Sequence, residues 1–107
     1  MDVEAMSAAV DALSGKWTLR VLAALTDGPQ EHNRLGRITG LEHKALDRTL
    51  DRMVRKNLIG REIICQRPVR VSYYQTSLAR ALLSTLDELA GQWRHHASVD
   101  ERVGEMP

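Results

Sequence analysis

The chain of 107 residues is long enough for one domain with one modest core, and 43% hydrophobic against 27% charged residues is a globular rather than a disordered balance. No apolar run approaches the roughly 18 residues of a membrane span, and the acidic start MDVEAMSAAV lacks the layout of a signal peptide. The single cysteine, Cys65, excludes an intrachain disulfide, so a cytoplasmic protein with no membrane partner is expected.

The net charge of +1 hides an uneven distribution. Residues 31–70 hold ten lysines and arginines against five acids, whereas residues 1–30 hold two against four and residues 71–107 three against five. A basic middle between acidic ends suits a polyanion-binding face with two flanks that make no such contact. The absence of Phe leaves Leu, Val, Ile, Met and Ala to build the core, which favours helices over a large sheet.

Val3, Met6, Val10 and Leu13 recur at three- and four-residue steps, predicting an amphipathic first helix that ends near Ser14-Gly15. From about Lys16 to Leu25 the chain is apolar around most of its circumference, predicting a central buried helix stopped by Asp27-Gly28-Pro29. A short third helix is expected over roughly Glu31 to Thr39, with Leu35 and Ile38 inward and Gly40 as terminator. The fourth, about Glu42 to Lys56, turns Leu46, Leu50, Met53 and Val54 inward, supported by Ala45 and Thr49, and Asn57 suits a left-handed exit.

At Ile59 the period changes to two. Ile59, Arg61 and Ile63, then Val69, Val71 and Tyr73, mark two strands around a turn at Gln66-Arg67-Pro68. Thr76 is placed to cap a long last helix whose stripe is Leu78, Leu82, Leu86, Leu89 and Trp93, widened by Leu83 and Ala90. That stripe exceeds what a lone surface helix needs. The fold expected is mainly α with a small β-hairpin, a winged helix-turn-helix over residues 1–96, and a loose tail over 97–107. A four-helix bundle with an incidental hairpin is the alternative.

Ordered short matches carry a resemblance to a known family. They are Ser14-Gly15-Lys16-Trp17-Thr18, Asp27-Gly28-Pro29, and Asn33, Leu35, Arg37 and Ile38 leading into Gly40-Leu41. Lys44, Leu46 and Leu50 follow, then Leu58-Ile59 with Arg61, and Pro68, Arg70, Val71 and Tyr73 with Thr76. In this order the chain resembles the HxlR-type winged-helix transcriptional regulators, relatives of the MarR group, over residues 9 to 93. The resemblance implies a bacterial-type regulator that binds double-stranded DNA as a homodimer. The first and last helices would pair across the two-fold axis, the fourth (about 42–56) would enter the major groove, and the wing (about 59–74) would reach flanking phosphates or the minor groove.

Four positions depart from the family pattern. Glu4 stands about where a redox-sensing cysteine is often found, His32 where an aromatic precedes the Asn, Glu42 where a Ser caps the recognition helix, and Ala79 where a Gly is usual.

With Leu46, Leu50 and Met53 inward, His43, Lys44, Asp47, Arg48, Asp51 and Arg52 fall on the outer face of the fourth helix. His43, Lys44, Asp47 and Arg48 are the base-reading candidates, Arg48 by a bidentate grip on guanine. Asp47 either accepts from a cytosine amino group or orients a neighbour; alternatively the outer charges form i,i+4 pairs such as Asp51 with Arg55 and contact nothing. Lys16, Arg34, Arg37, Arg52, Arg67 and Arg70 are candidates for phosphates or the wing contact, Arg67 being restricted by Pro68. Met6, Val10, Leu82, Leu86, Leu89 and Trp93 are the dimer candidates. Trp17, Tyr73, Tyr74 and Trp93 are the aromatics available to line a crevice for a small-molecule effector, although core packing suits Trp17.

Cys65, near Arg67, is a redox candidate set against a plain role as a small apolar strand residue. The four histidines show no ligand motif, and no phosphate loop, nucleophile elbow or catalytic carboxylate pair is present, so neither enzyme activity nor a metal or cofactor is expected. The competing function is a winged-helix scaffold that binds a small molecule or protein with little DNA binding. Its motive is the acids Glu42, Asp47 and Asp51, which dilute the positive face.

Overall fold

The computed structural model describes the backbone of residues 1–105 and the side chains of residues 1–97. Its elements run α1 (Val3–Leu13), α2 (Thr18–Ala24), β1 (Gln30–Glu31), α3 (His32–Thr39), α4 (His43–Arg55), β2 (Ile59–Gln66), β3 (Val69–Gln75) and α5 (Ser77–Glu105).

Local chemistry sets the helix ends. The Asp2 carboxylate accepts from the Ala5 N–H at 3.0 Å to open α1, and the Ser14 hydroxyl donates to the Asp11 carbonyl at 2.7 Å to close it. Gly40 leaves α3 with φ +73° and Asn57 leaves α4 with φ +60°, both in the left-handed region. Thr76 accepts from the Ala79 N–H at 3.1 Å as the cap of α5, while its hydroxyl donates to the Asn57 carbonyl at 2.7 Å. The start of α5 is thereby fastened to the end of α4.

The core lies where α2, α3 and α4 meet the base of the hairpin. Val21, Leu22, Leu25, Leu35, Leu46, Leu50, Met53, Leu58 and Ile59 are buried there, with Tyr73 and Ala79 closing the edge. Gln75 fastens the sheet to α2 by donating from Nε2 to the Leu22 carbonyl at 2.6 Å. The expected stripe of α4 is present, Thr49 included, with Val54 only half-buried.

Two inward assignments change. Ile38 is 48% exposed and Thr39 takes the inner position, one full turn after Leu35, where its hydroxyl donates to the Leu35 carbonyl at 2.6 Å. A threonine sits inside without loss because its own helix satisfies the hydroxyl. α2 buries one face rather than its circumference: Thr18, Val21 and Leu22 point inward, whereas Leu19 and Ala23 are exposed.

The sheet has three strands, not two, in the order β1-β3-β2 and antiparallel throughout. β1 pairs Gln30 with Tyr73 and Glu31 with Ser72. β2 and β3 run from Ile59↔Gln75 to Gln66↔Val69, with a bulge at Ile63–Cys65. The distal hairpin stands clear of the core, so Ile63, Ile64 and Val69 are exposed.

Two helices reach beyond this core. No residue of α1 is buried; its end is tied to α4 by Lys56 Nζ donating to the Asp11 carbonyl at 3.1 Å. α5 buries Ala79 and half-buries Leu82, Leu83 and Leu86, then continues past His96, the boundary at which a loose tail is expected. Met106 and Pro107 of that tail lie outside the described residues. The radius of gyration, 17.1 Å, exceeds the roughly 13 Å of a compact domain of this length because of these helices.

Candidate nucleic-acid interface

The turn Gly40-Leu41-Glu42 brings the start of α4 out beside α3. Because Leu46, Thr49, Leu50 and Met53 face the core, His43, Lys44, Asp47, Arg48 and Asp51 are all exposed on the opposite side. Lys44 and Arg48, one turn apart, form the cationic strip expected there. Glu42 makes no side-chain hydrogen bond as a cap, so the first N–H groups of α4 receive nothing from it.

Asp47 is not a loose surface acid. One oxygen lies 2.6 Å from His32 Nε2, across from the start of α3, and the other 3.4 Å from His43 Nε2 one turn back. The His32 and His43 rings meet edge to face, with centroids 4.9 Å apart. The ion pairs among the described residues are these two and Arg70–Glu31; Asp51 and Arg55 do not pair.

Arg52 is placed differently from its neighbours. It is half-buried, its Nε has no partner, and its guanidinium closes on Gly15, where an added Cβ would lie 2.5 Å from Nη2. Gly15, at φ +121°, is required by its backbone, and the tip of Arg52 lies close against it. A stripe argument could not place Arg52 there, since its long stem reaches back to a loop far away in sequence.

Arg70 is likewise engaged. Its Nε and Nη2 donate to the two Glu31 oxygens at 2.7 and 2.8 Å, joining β3 to β1 in a bidentate pair. The hydrogen bonds from Arg70 hold the Glu31 carboxyl below the ordinary carboxylate range, and those to Glu31 raise Arg70 further. For a carboxyl lowered in the folded state, any stability it adds is present above the unfolded value and lost as pH falls through the folded one. Both groups are open to solvent, so that contribution is small. Arg70→Ala is expected to move the Glu31 titration upward, read by carboxyl NMR, with little change in melting temperature. An unmoved Glu31 midpoint would refute the pairing.

The remaining cations stay outward. Arg34 and Arg37 are exposed on α3 beside a cleft of about 380 Å³, and Arg67 is exposed at the hairpin turn. Lys16 and Arg20 lie over the Trp17 ring, 5.2 and 4.9 Å from its centroid. Cys65 is half-buried next to the bulge, and its partner across the hairpin is Arg70 rather than Arg67.

The four aromatics do not gather in one crevice. Trp17 is with Lys16 and Arg20, and Tyr74 lies across Gly60, where a Cβ would strike its ring. Tyr73 is buried at the edge of a cleft of about 260 Å³ that also holds His32 and Glu31. Trp93, 73% exposed, lines an apolar trough of about 790 Å³ between α2 and α5 together with Leu19, Leu83 and Leu86. Sequence reasoning missed Glu31 as a partner of the wing; the one hint for the histidine cluster was His32 at an aromatic position.

Comparison with known proteins agrees with this geometry. The HxlR-like helix-turn-helix family matches residues 12–101. An uncharacterised HTH-type transcriptional regulator of Methanothermobacter thermautotrophicus is 33% identical over 98 residues, covering 91% of this chain and 75% of that protein. YkvN of Bacillus subtilis, another uncharacterised HTH-type transcriptional regulator, is 31% identical over 96 residues, covering 89% and 81%. The crystal structure of a regulator assigned to the MarR family from Enterococcus faecalis V583 superposes with a TM-score of 0.86 at 26% identity, covering 95% of this chain and 94% of that one. The chain thus belongs to the HxlR-like helix-turn-helix family, a family of transcriptional regulators and not of enzymes.

Proposed function

We propose that the protein is a homodimeric, sequence-specific DNA-binding regulator in which α4 enters the major groove and the β2–β3 wing contacts flanking backbone or the minor groove. The observation that carries this reading is the outer face of α4. Lys44 and Arg48 project from a helix whose other side is locked into the core, which is how a recognition helix holds donors at fixed spacing. Arg67 at the hairpin turn and Arg34 and Arg37 on α3 supply phosphate contacts, while Arg70 contributes less because Glu31 holds its guanidinium and Arg52 contributes less because it is half-buried against Gly15.

Homodimerisation rests on two uncovered apolar faces. One is Met6 and Val10 on α1; the other is Leu86, Leu89 and Trp93 on α5, continuing from half-buried Leu82 and joined by Leu19 and Ala23 of α2. Surfaces of this kind mark interaction sites. The trough on the second face also offers room for a small apolar effector at the edge of the interface.

A salt series on selected and random duplexes tests the DNA reading. Arg48→Ala is expected to weaken the preferred site by about 1–3 kcal/mol and random DNA much less. Arg67→Ala should weaken both alike and flatten the salt dependence by roughly 0.9 per lost phosphate contact, or about two per dimer. Wild-type protein without salt-dependent DNA binding would overturn the proposal and favour a scaffold that binds a small molecule or protein.

A further inference from the structure

We propose that His32, His43 and Asp47 form a binding site for a divalent transition-metal ion of the zinc class. The three side chains come from two helices: His32 opens α3, His43 opens α4, and Asp47 follows one turn later. One donor atom from each lies within 4.8 Å of the others, with His32 Nε2 and His43 Nε2 at 2.6 and 3.4 Å from the two Asp47 oxygens. Around tetrahedral zinc, ligand atoms stand about 3.3 Å apart. The separations here bracket that value, and a small rotation of the exposed His43 and Asp47 side chains meets it.

The donor set selects the ion. Two imidazoles and one carboxylate suit zinc and its transition-metal neighbours, whereas calcium and magnesium favour oxygen alone. The cleft of about 260 Å³ beside the cluster leaves room for water at the fourth position. Arg70 lines the same cleft and would repel a cation, but its charge is matched by Glu31 through two hydrogen bonds. A bound ion would staple the first turns of α3 and α4 together without involving the core.

The test uses the full chain carrying His95→Ala and His96→Ala, which removes an adjacent histidine pair on α5 as a competing site. Cobalt(II) titration followed by visible absorption, and zinc titration by calorimetry, should each report one site per chain. His43→Ala and Asp47→Asn, both at exposed positions, should each weaken binding by more than about tenfold and abolish the rise in melting temperature caused by zinc. Circular dichroism of these two variants keeps the result separate from unfolding, and DNA binding enters no readout. Absence of binding in the histidine-pair background, or binding that survives both substitutions or is lost with Cys65→Ser instead, would overturn the assignment.

Discussion

Leu86→Asp is expected to convert a particle of twice 12.0 kDa into one of 12.0 kDa. Leu86 sits midway along the apolar face of α5, between half-buried Leu82 and Leu83 and exposed Leu89 and Trp93, opposite Leu19 and Ala23 of α2. In a two-fold dimer a residue near the axis faces the same patch of its partner, so one substitution places two carboxylates in the interface. Each would lose water in a trough whose charged lining, Arg94 and Asp87, is already balanced, at a cost of several kcal/mol. The monomer fold should persist, because the core contains no part of that face beyond Ala79 and the half-buried leucines. Sedimentation at micromolar concentration reads the outcome. A wild type that is already a monomer, or a variant that stays dimeric, would remove the terminal helices from the interface.

Leu50→Ala should cost about 2–5 kcal/mol of folding stability. Leu50 is 1% exposed, in the middle of α4, where it meets the cluster built from α2, α3 and the base of the hairpin. The truncated side chain leaves a void that Leu46 and Met53, fixed on the same helix, cannot close. Against a total of about 5–15 kcal/mol for a domain, this is a large fraction, and the melting temperature should fall by roughly 10 °C or more. Ile38→Ala is the matched comparison: an aliphatic residue of the same size on the neighbouring helix, but exposed, with an expected change within about 0.5 kcal/mol. Urea melts at one fixed protein concentration decide it. Equal costs for the two substitutions would mean that the core has been misplaced.

Much of the architecture was legible because it rests on short-range chemistry. Gly40, Asn57 and Thr76 terminate or begin helices through their own backbone preferences or hydroxyls, and each acts as its residue type predicts. The apolar stripe of α4 likewise follows from helical periodicity. What could not be read depends on partners distant in sequence. β1 has only two residues and no alternation to detect; it exists because Tyr73 and Ser72 offer it a ladder. Thr39 displaces Ile38 through a hydrogen bond to Leu35 that a hydrophobicity pattern does not register. In the candidate interface, Lys44 and Arg48 were placed correctly on the outer face. Arg52 and Arg70 differ from simple surface cations because Arg52 packs against Gly15, 37 positions away, and Arg70 pairs with Glu31, 39 positions away. His32 and Asp47, 15 residues apart, meet only because the helix-turn-helix folds α3 against the start of α4.

The Thr76 joint sets the direction in which α5 leaves α4. The hydroxyl bonds to Asn57 and the cap of Ala79 fix one end of a 29-residue helix directly to the end of α4. At 1.5 Å per residue the helix is roughly 43 Å long, so a tilt of about 5° at that joint displaces its far end by roughly 4 Å. In two chains joined through α5, such a tilt would work as a lever, changing the distance between the paired α4 helices by an amount comparable with one base-pair step.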